Sequence, residues 1–177
     1  YDRHCACLPA DEAAERVARG EKAVIRMRVP ADGRISFVEP LRGEISFDLA
    51  MVDDQVLLKS DGFPTYHLAV VVDDHFMRVT TAVRGEEWVS SAPKHLLLYR
   101  YFGWEPPRIL HTALLRDASR HKLSKRTGDI SVSDFRAQGY LHDGLRNFLS
   151  RLIWAHPEEK DIYDYSEFVR LFSIGSV

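Results

Sequence analysis

Cysteine is nearly absent from this 177-residue chain: Cys5 and Cys7 are the only two. With one such pair, two residues apart, no disulfide framework staples the fold, and a cytoplasmic setting with reduced thiols is the expectation. Long apolar runs are missing as well. Residues 68–72 and 96–99 are the longest, far short of the roughly 20 residues that span a bilayer. No signal-like apolar stretch follows Tyr1, so no membrane partner is expected. An excess of one charge is also lacking, since 24 Lys and Arg stand against 26 Asp and Glu. A uniformly basic, nucleic-acid-coating surface is thereby excluded, and any such contact must come from a local patch. What is present is 45% hydrophobic and 28% charged residues, the balance of a globular chain with a real core.

Residues 8–20 read as a short helix, with Pro9 early, Asp11 and Glu12 at its positive end and Gly20 as a left-handed cap. In 23–29, Val24, Arg26 and Arg28 alternate with Ala23, Ile25, Met27 and Val29, the period of a half-buried strand. Short runs at 35–38, 44–48 and 55–59, broken by Asp32-Gly33, Arg42-Gly43 and Asp53-Asp54, extend this into a small antiparallel module. The apolar run 66–72 fits helix or strand equally by length. A strand over 78–83, a helix over 87–102 closed by Gly103 and a buried strand over 109–115 follow, an order that suggests a parallel unit. Residues 116–128 are polar and basic. Beyond Asp129, Leu145, Phe148, Leu149, Leu152 and Ile153 recur on one helix face, and Glu167, Phe168 and Leu171 begin another short amphipathic element.

The basic stretch holds Arg116, Arg120, Lys122, Lys125 and Arg126, opposed only by Asp117. Its composition alone favours a solvated basic turn, while it also suits a loop that wraps a polyphosphate, each ammonium following the charge on a departing pyrophosphate. The string Lys122-Leu123-Ser124-Lys125-Arg126 resembles the Lys-Met-Ser-Lys-Ser signature of class I aminoacyl-tRNA synthetases, in the form of the bacterial-type glutamyl-tRNA synthetase family. Other strings resemble that family in order and spacing. They are Tyr1-Asp2-Arg3-His4-Cys5, Ser60-Asp61-Gly62-Phe63-Pro64-Thr65-Tyr66-His67-Leu68-Ala69, Val71-Val72-Asp73-Asp74-His75, Arg84-Gly85-Glu86-Glu87-Trp88, and Gly139-Tyr140-Leu141 through Asn147-Phe148-Leu149.

The resemblance implies activation of glutamate with ATP and its Mg²⁺ to glutamyl-adenylate, followed by transfer to the terminal adenosine of tRNA. By position, Tyr66 and Arg84 grip the glutamate, where a guanidinium can read a carboxylate through two parallel hydrogen bonds. Trp88 lies on the nucleotide side, Leu114 and Leu115 line the adenine, and Leu123, Ser124 and Arg126 attend the ATP. Lys122 and Lys125 are the catalytic candidates. Arg126 stands where the general class I signature has Ser.

The implied fold class is α/β: the C-terminal half of a Rossmann-like class I catalytic domain at 66–130. An α+β acceptor-stem-binding insertion precedes it at 1–65, and an α-helical stem-contact domain begins at 131–177. Some family members bind zinc in the inserted region, so Cys5 and Cys7 read as half of such a site, with zinc not expected to be held. Asp73, Asp74 and His75 read as scaffold rather than metal ligands, since adjacent residues point in different directions.

The family's His-Ile-Gly-His string is absent, so the chain reads as an internal excerpt, inactive alone and with apolar surface left exposed. Expected partners are the tRNA acceptor stem, glutamate and ATP, in a family whose full-length members are usually monomeric. A glutaminyl-type ligase and a non-catalytic RNA-binding module are the alternatives.

Overall fold

The structure, a computed structural model, describes residues 1–116, 119 and 131–174. They divide into two compact units: Tyr1–Phe37, Glu44–Ala82 and Ser90–Arg108 form one, and Val38–Gly43, Val83–Val89 and the described residues from Ile109 onward form the other. No helix among the described residues is long and apolar enough to cross a membrane.

In the first unit, helix α1 (Ala10–Ala18) starts on Pro9, whose extended backbone makes it the N-cap rather than a helical residue. Strand β1 (Ile25–Arg26) is much shorter than the alternation over 23–29 predicts. The ladder shifts register between Ile25 and Arg26, and the Val29 N–H goes to the buried Asp54 carboxylate at 2.9 Å instead of to a strand. Arg3, in the left-handed region at φ 60°, closes the charge on Asp54 at 2.8 Å. β2 (Arg34–Glu39) and β3 (Gly43–Asp48) form a hairpin whose tip, Val38–Gly43, is counted with the second unit, and β4 (Val56–Leu58) pairs antiparallel with β1, as the short runs suggest.

Helix α2 (Tyr66–Phe76) resolves the ambiguous apolar run, and α3 (Ala92–Phe102) packs against it. A 3₁₀ segment, Glu86–Ser91, replaces the first turn predicted for α3. Pro93 explains this: it lacks the N–H that a longer helix needs and is tolerated only in the first turn. α3 ends on Gly103 in the left-handed conformation, φ 68°, with Trp104 N–H bonded to Tyr99 C=O and Gly103 N–H to Arg100 C=O, a Schellman closure. Leu96 to Tyr99 are all buried there.

Strands β5 (Thr81–Gly85) and β6 (Arg108–Thr112) pair with each other. Arg108 N–H reaches Thr80 C=O and Thr112 Oγ1 reaches Arg84 C=O, so both residue numbers rise together and the strands run parallel around α3. After the undescribed residues come α4 (Val132–Ala137), opened by a Ser131–Asp134 capping box, α5 (His142–Arg151) and α6 (Tyr165–Leu171). Of the apolar stripe on and just beyond α5, Leu145 and Ile153 are half-buried, while Phe148, Leu149 and Leu152 stay exposed. Asn147 and Ser150 instead face the Trp154–Tyr163 cluster, Ser150 Oγ lying 2.8 Å from Tyr163 Oη.

Candidate active site

Tyr66 owes its place to the loop before it. The Asp61 carboxylate accepts the Phe63 N–H at 3.0 Å, Gly62 takes φ 84°, and the chain doubles back along β4. Lys59 N–H then bonds Phe63 C=O, Thr65 N–H bonds Leu57 C=O, and Thr65 Oγ1 bonds Val56 C=O at 2.7 Å. The strand thus delivers a half-exposed phenol at the first residue of α2. Its ring meets His67 and His95 edge-on, and those two imidazoles share a 3.0 Å contact between Nδ1 of His67 and Nε2 of His95. His75, within the string Asp73-Asp74-His75, stacks on Trp104 at 3.8 Å.

Arg84 lies in β5 of the second unit, its guanidinium carbon 6.0 Å from the centre of the Trp88 ring. β6 runs alongside and leads on to Leu114, half-buried, and Leu115, exposed. Arg84 and Trp88 are therefore brought together beside the strand that leads to Leu114 and Leu115, whereas Tyr66 belongs to the other unit. Lys122, Leu123, Ser124, Lys125 and Arg126 lie outside the described residues. Cys5 and Cys7 are exposed, and among the described residues no three His, Cys, Asp or Glu side chains converge as metal ligands.

A buried ionic group accompanies this strand pair. The fully buried Glu39 carboxylate accepts the His111 N–H at 2.6 Å, and Arg42 donates to both Glu39 oxygens, at 3.0 and 3.2 Å, and to the His111 C=O at 2.6 Å. Glu86 lies 3.7 Å from Arg42 and 3.1 Å from Arg116. The sequence carries one usable signal for this group: Ile35, Phe37 and Glu39 share one face of β2, which puts a carboxylate in an apolar phase.

Burial lowers the pKa of His111; Glu39 opposes this by raising it, and Arg42 and Arg84 lower it further. The folded chain therefore takes up this proton less readily than the unfolded chain. The stability due to neutral His111 is complete above the ordinary value of 6.5 and is lost as the pH falls below it. Thermal melts from about pH 7.5 down to about pH 5 are expected to show a falling Tm, with a shallower fall in His111→Gln. Identical slopes in the two proteins would contradict this.

The chain resembles known proteins along almost its whole length. The family described as tRNA synthetases class I (E and Q), catalytic domain, matches residues 1–176. A glutamate–tRNA ligase of Gloeobacter violaceus is 63% identical over 172 residues, 97% of this chain and 32% of that protein. One of Clostridioides difficile is 44% identical over 177 residues, 100% of this chain and 36% of that protein. Among solved structures, the glutamate–tRNA synthetase of Elizabethkingia anophelis superposes with a TM-score of 0.85 at 34% identity, over 97% of this chain and 38% of its own. The glutamate–tRNA ligase of Elizabethkingia meningosepticum in complex with its amino acid gives 0.84 at 33%, with the same coverage. The chain spans about a third of the length of these curated relatives. With a mixed α/β fold shared with solved synthetases and a family match from residue 1 to 176, the chain belongs to the class I tRNA synthetases for glutamate and glutamine, within their catalytic domain.

Proposed function

We propose that the chain serves a glutamate–tRNA ligase, contributing the side chains that hold glutamate and neutralise the leaving pyrophosphate. Residues 1–65 are then part of the acceptor-stem-binding insertion, 66–130 the second half of the Rossmann-like catalytic domain, and 131–177 the opening of the stem-contact helices. The enzyme works in the cytoplasm, as a monomer, on tRNA, glutamate and ATP with its Mg²⁺. What carries the proposal is the pairing of Arg84 with Trp88 beside the parallel strand that leads to Leu114 and Leu115, in a chain 63% identical to a glutamate–tRNA ligase.

The chemistry follows from these groups. Arg84 holds one carboxylate of glutamate in two parallel hydrogen bonds, and the Tyr66 hydroxyl supplies a directed donor. Trp88, Leu114 and Leu115 form apolar walls for the nucleotide, with Leu123, Ser124 and Arg126 beside the phosphates. An oxygen of the glutamate α-carboxylate attacks the α-phosphorus of ATP. That O–P bond forms as the bond to the bridging oxygen of pyrophosphate breaks, and the electron pair leaves with pyrophosphate. Lys122 and Lys125 meet the growing charge. A hydroxyl of the terminal adenosine then attacks the acyl carbon and AMP departs.

The test is a hybrid in which residues 1–177 replace the matching third of a relative's ligase. Glutamate-dependent exchange of pyrophosphate into ATP is expected. A folded hybrid that binds tRNA without exchange would instead support a non-catalytic RNA-binding module, and exchange driven by glutamine would support a glutaminyl-type enzyme. In the same hybrid, Arg84→Ala is expected to raise the KM for glutamate about 10- to 100-fold, the worth of a charge-assisted pair. An unchanged KM would remove Arg84 from the amino-acid site.

A further inference from the structure

We propose that Glu39 and Arg42 are positioning residues that take the place of a neighbouring strand along the edge of β6 facing away from β5 and hold the run 111–116 in place. The proposal rests on the ligase assignment only for its kinetic consequence. In a strand, the N–H and C=O of one residue point to the same side, and those of its neighbours to the other. The Arg108 N–H turns toward β5, so His111, three residues on, presents its N–H and C=O away from it. Those are the groups that Glu39 and Arg42 take, the carboxylate accepting and the guanidinium donating, both at 2.6 Å.

A buried polar backbone pair left open costs about as much as lost hydrogen bonds. Here, a carboxylate and a guanidinium, already bonded to each other, satisfy both groups with the geometry of a neighbouring strand. Nη1 alone makes the contacts to Glu39 and His111, while Nη2 faces Glu86 at 3.7 Å; a lysine's single nitrogen can take the first set but leaves Glu86 unheld.

The arrangement extends past His111. Arg42 also faces Glu86, and Glu86 faces Arg116, so acid and base alternate from Glu39 through Arg42 and Glu86 to Arg116. Glu86 sits between Arg84 and Trp88 in sequence, and Arg116 follows Leu114 and Leu115 directly. One guanidinium, in the turn of the β2–β3 hairpin, thereby ties the exit of β5 to the run beyond β6.

Hydrogen exchange on the 177-residue chain tests the clamp itself. Arg42→Ala is expected to speed exchange of the His111 amide at least tenfold, with amides around Leu97 in the other unit unchanged. Arg42→Lys, whose ammonium can take the place of Nη1, should recover most of that protection. Equal protection in the parent chain and Arg42→Ala would overturn the proposal, and so would loss of protection throughout the chain. In the hybrid ligase, Arg42→Lys is expected to raise the KM for ATP about tenfold while the KM for glutamate stays within about twofold. Equal rises in both would overturn it as well. A parent hybrid with no exchange activity would refute the ligase assignment instead, leaving the amide measurement to decide the clamp.

Discussion

Replacing Lys122 and Lys125 together with alanine in the hybrid ligase is expected to lower glutamate-dependent pyrophosphate exchange by about 10³-fold or more, while affinity for tRNA changes little. The size follows from where the charge goes. As the α-phosphorus passes from pyrophosphate to the glutamate carboxylate, negative charge collects on the leaving group. A preorganised cation aimed at that charge contributes about 10²- to 10³-fold. If Lys122 and Lys125 share the pyrophosphate as proposed, each single variant should fall short of the double, and the losses need not add. Lys125→Arg is a useful control, because it keeps the charge and changes only the shape of the donor. Binding of tRNA through the rest of the surface is the complementary readout. If the double variant lost tRNA affinity and exchange together, the two lysines would be an electrostatic footprint for nucleic acid, and the catalytic role would be lost.

Leu97→Ala is expected to destabilise the chain by about 2–5 kcal/mol, read as a shift in the denaturant midpoint at constant slope. Leu97 has no exposed surface, and α3 around it is buried at Ala92, Pro93, His95, Leu96, Leu98 and Tyr99. α2 packs against that helix, so a cavity there has little freedom to collapse. Leu97→Met, which conserves volume, should cost less than about 1.5 kcal/mol. Met51→Ala is the surface control: the side chain is 86% exposed, and its loss should fall within about 0.5 kcal/mol. A Leu97→Ala effect no larger than the Met51→Ala effect would mean that α3 is not the core of its unit.

Much of this was legible in sequence, for reasons visible in particular residues. The run Leu96 to Tyr99 with Gly103 just beyond gave both the buried helix and its left-handed end, because a helix packed on several sides needs continuous apolar residues and a cap that glycine supplies without strain. The hairpin of β2 and β3 followed from short β-rich runs separated by turn residues. Where local pattern misled, long-range polar contacts are present. The 23–29 alternation ends where the Val29 N–H turns to the Asp54 carboxylate, and only Leu145 and Ile153 of the α5 stripe are half-buried, while Asn147 and Ser150 bond to Tyr163.

The candidate site divides in the same way. The positions of Arg84 and Trp88 came from resemblance, and the structure puts the two side chains side by side. Arg42, by contrast, read only as turn punctuation before Gly43, since nothing local announces a partner 69 residues away at His111. The contact between His67 and His95, 28 residues apart, was hidden for the same reason.

The most direct measurement is a crystal structure of the hybrid ligase with a non-hydrolysable glutamyl-adenylate analogue. The expected result is a carboxylate of the glutamyl group within about 3 Å of the Arg84 guanidinium and the Tyr66 hydroxyl, with the adenine against Leu114 and Leu115. An analogue bound with its glutamyl group away from both Arg84 and Tyr66 would contradict the account.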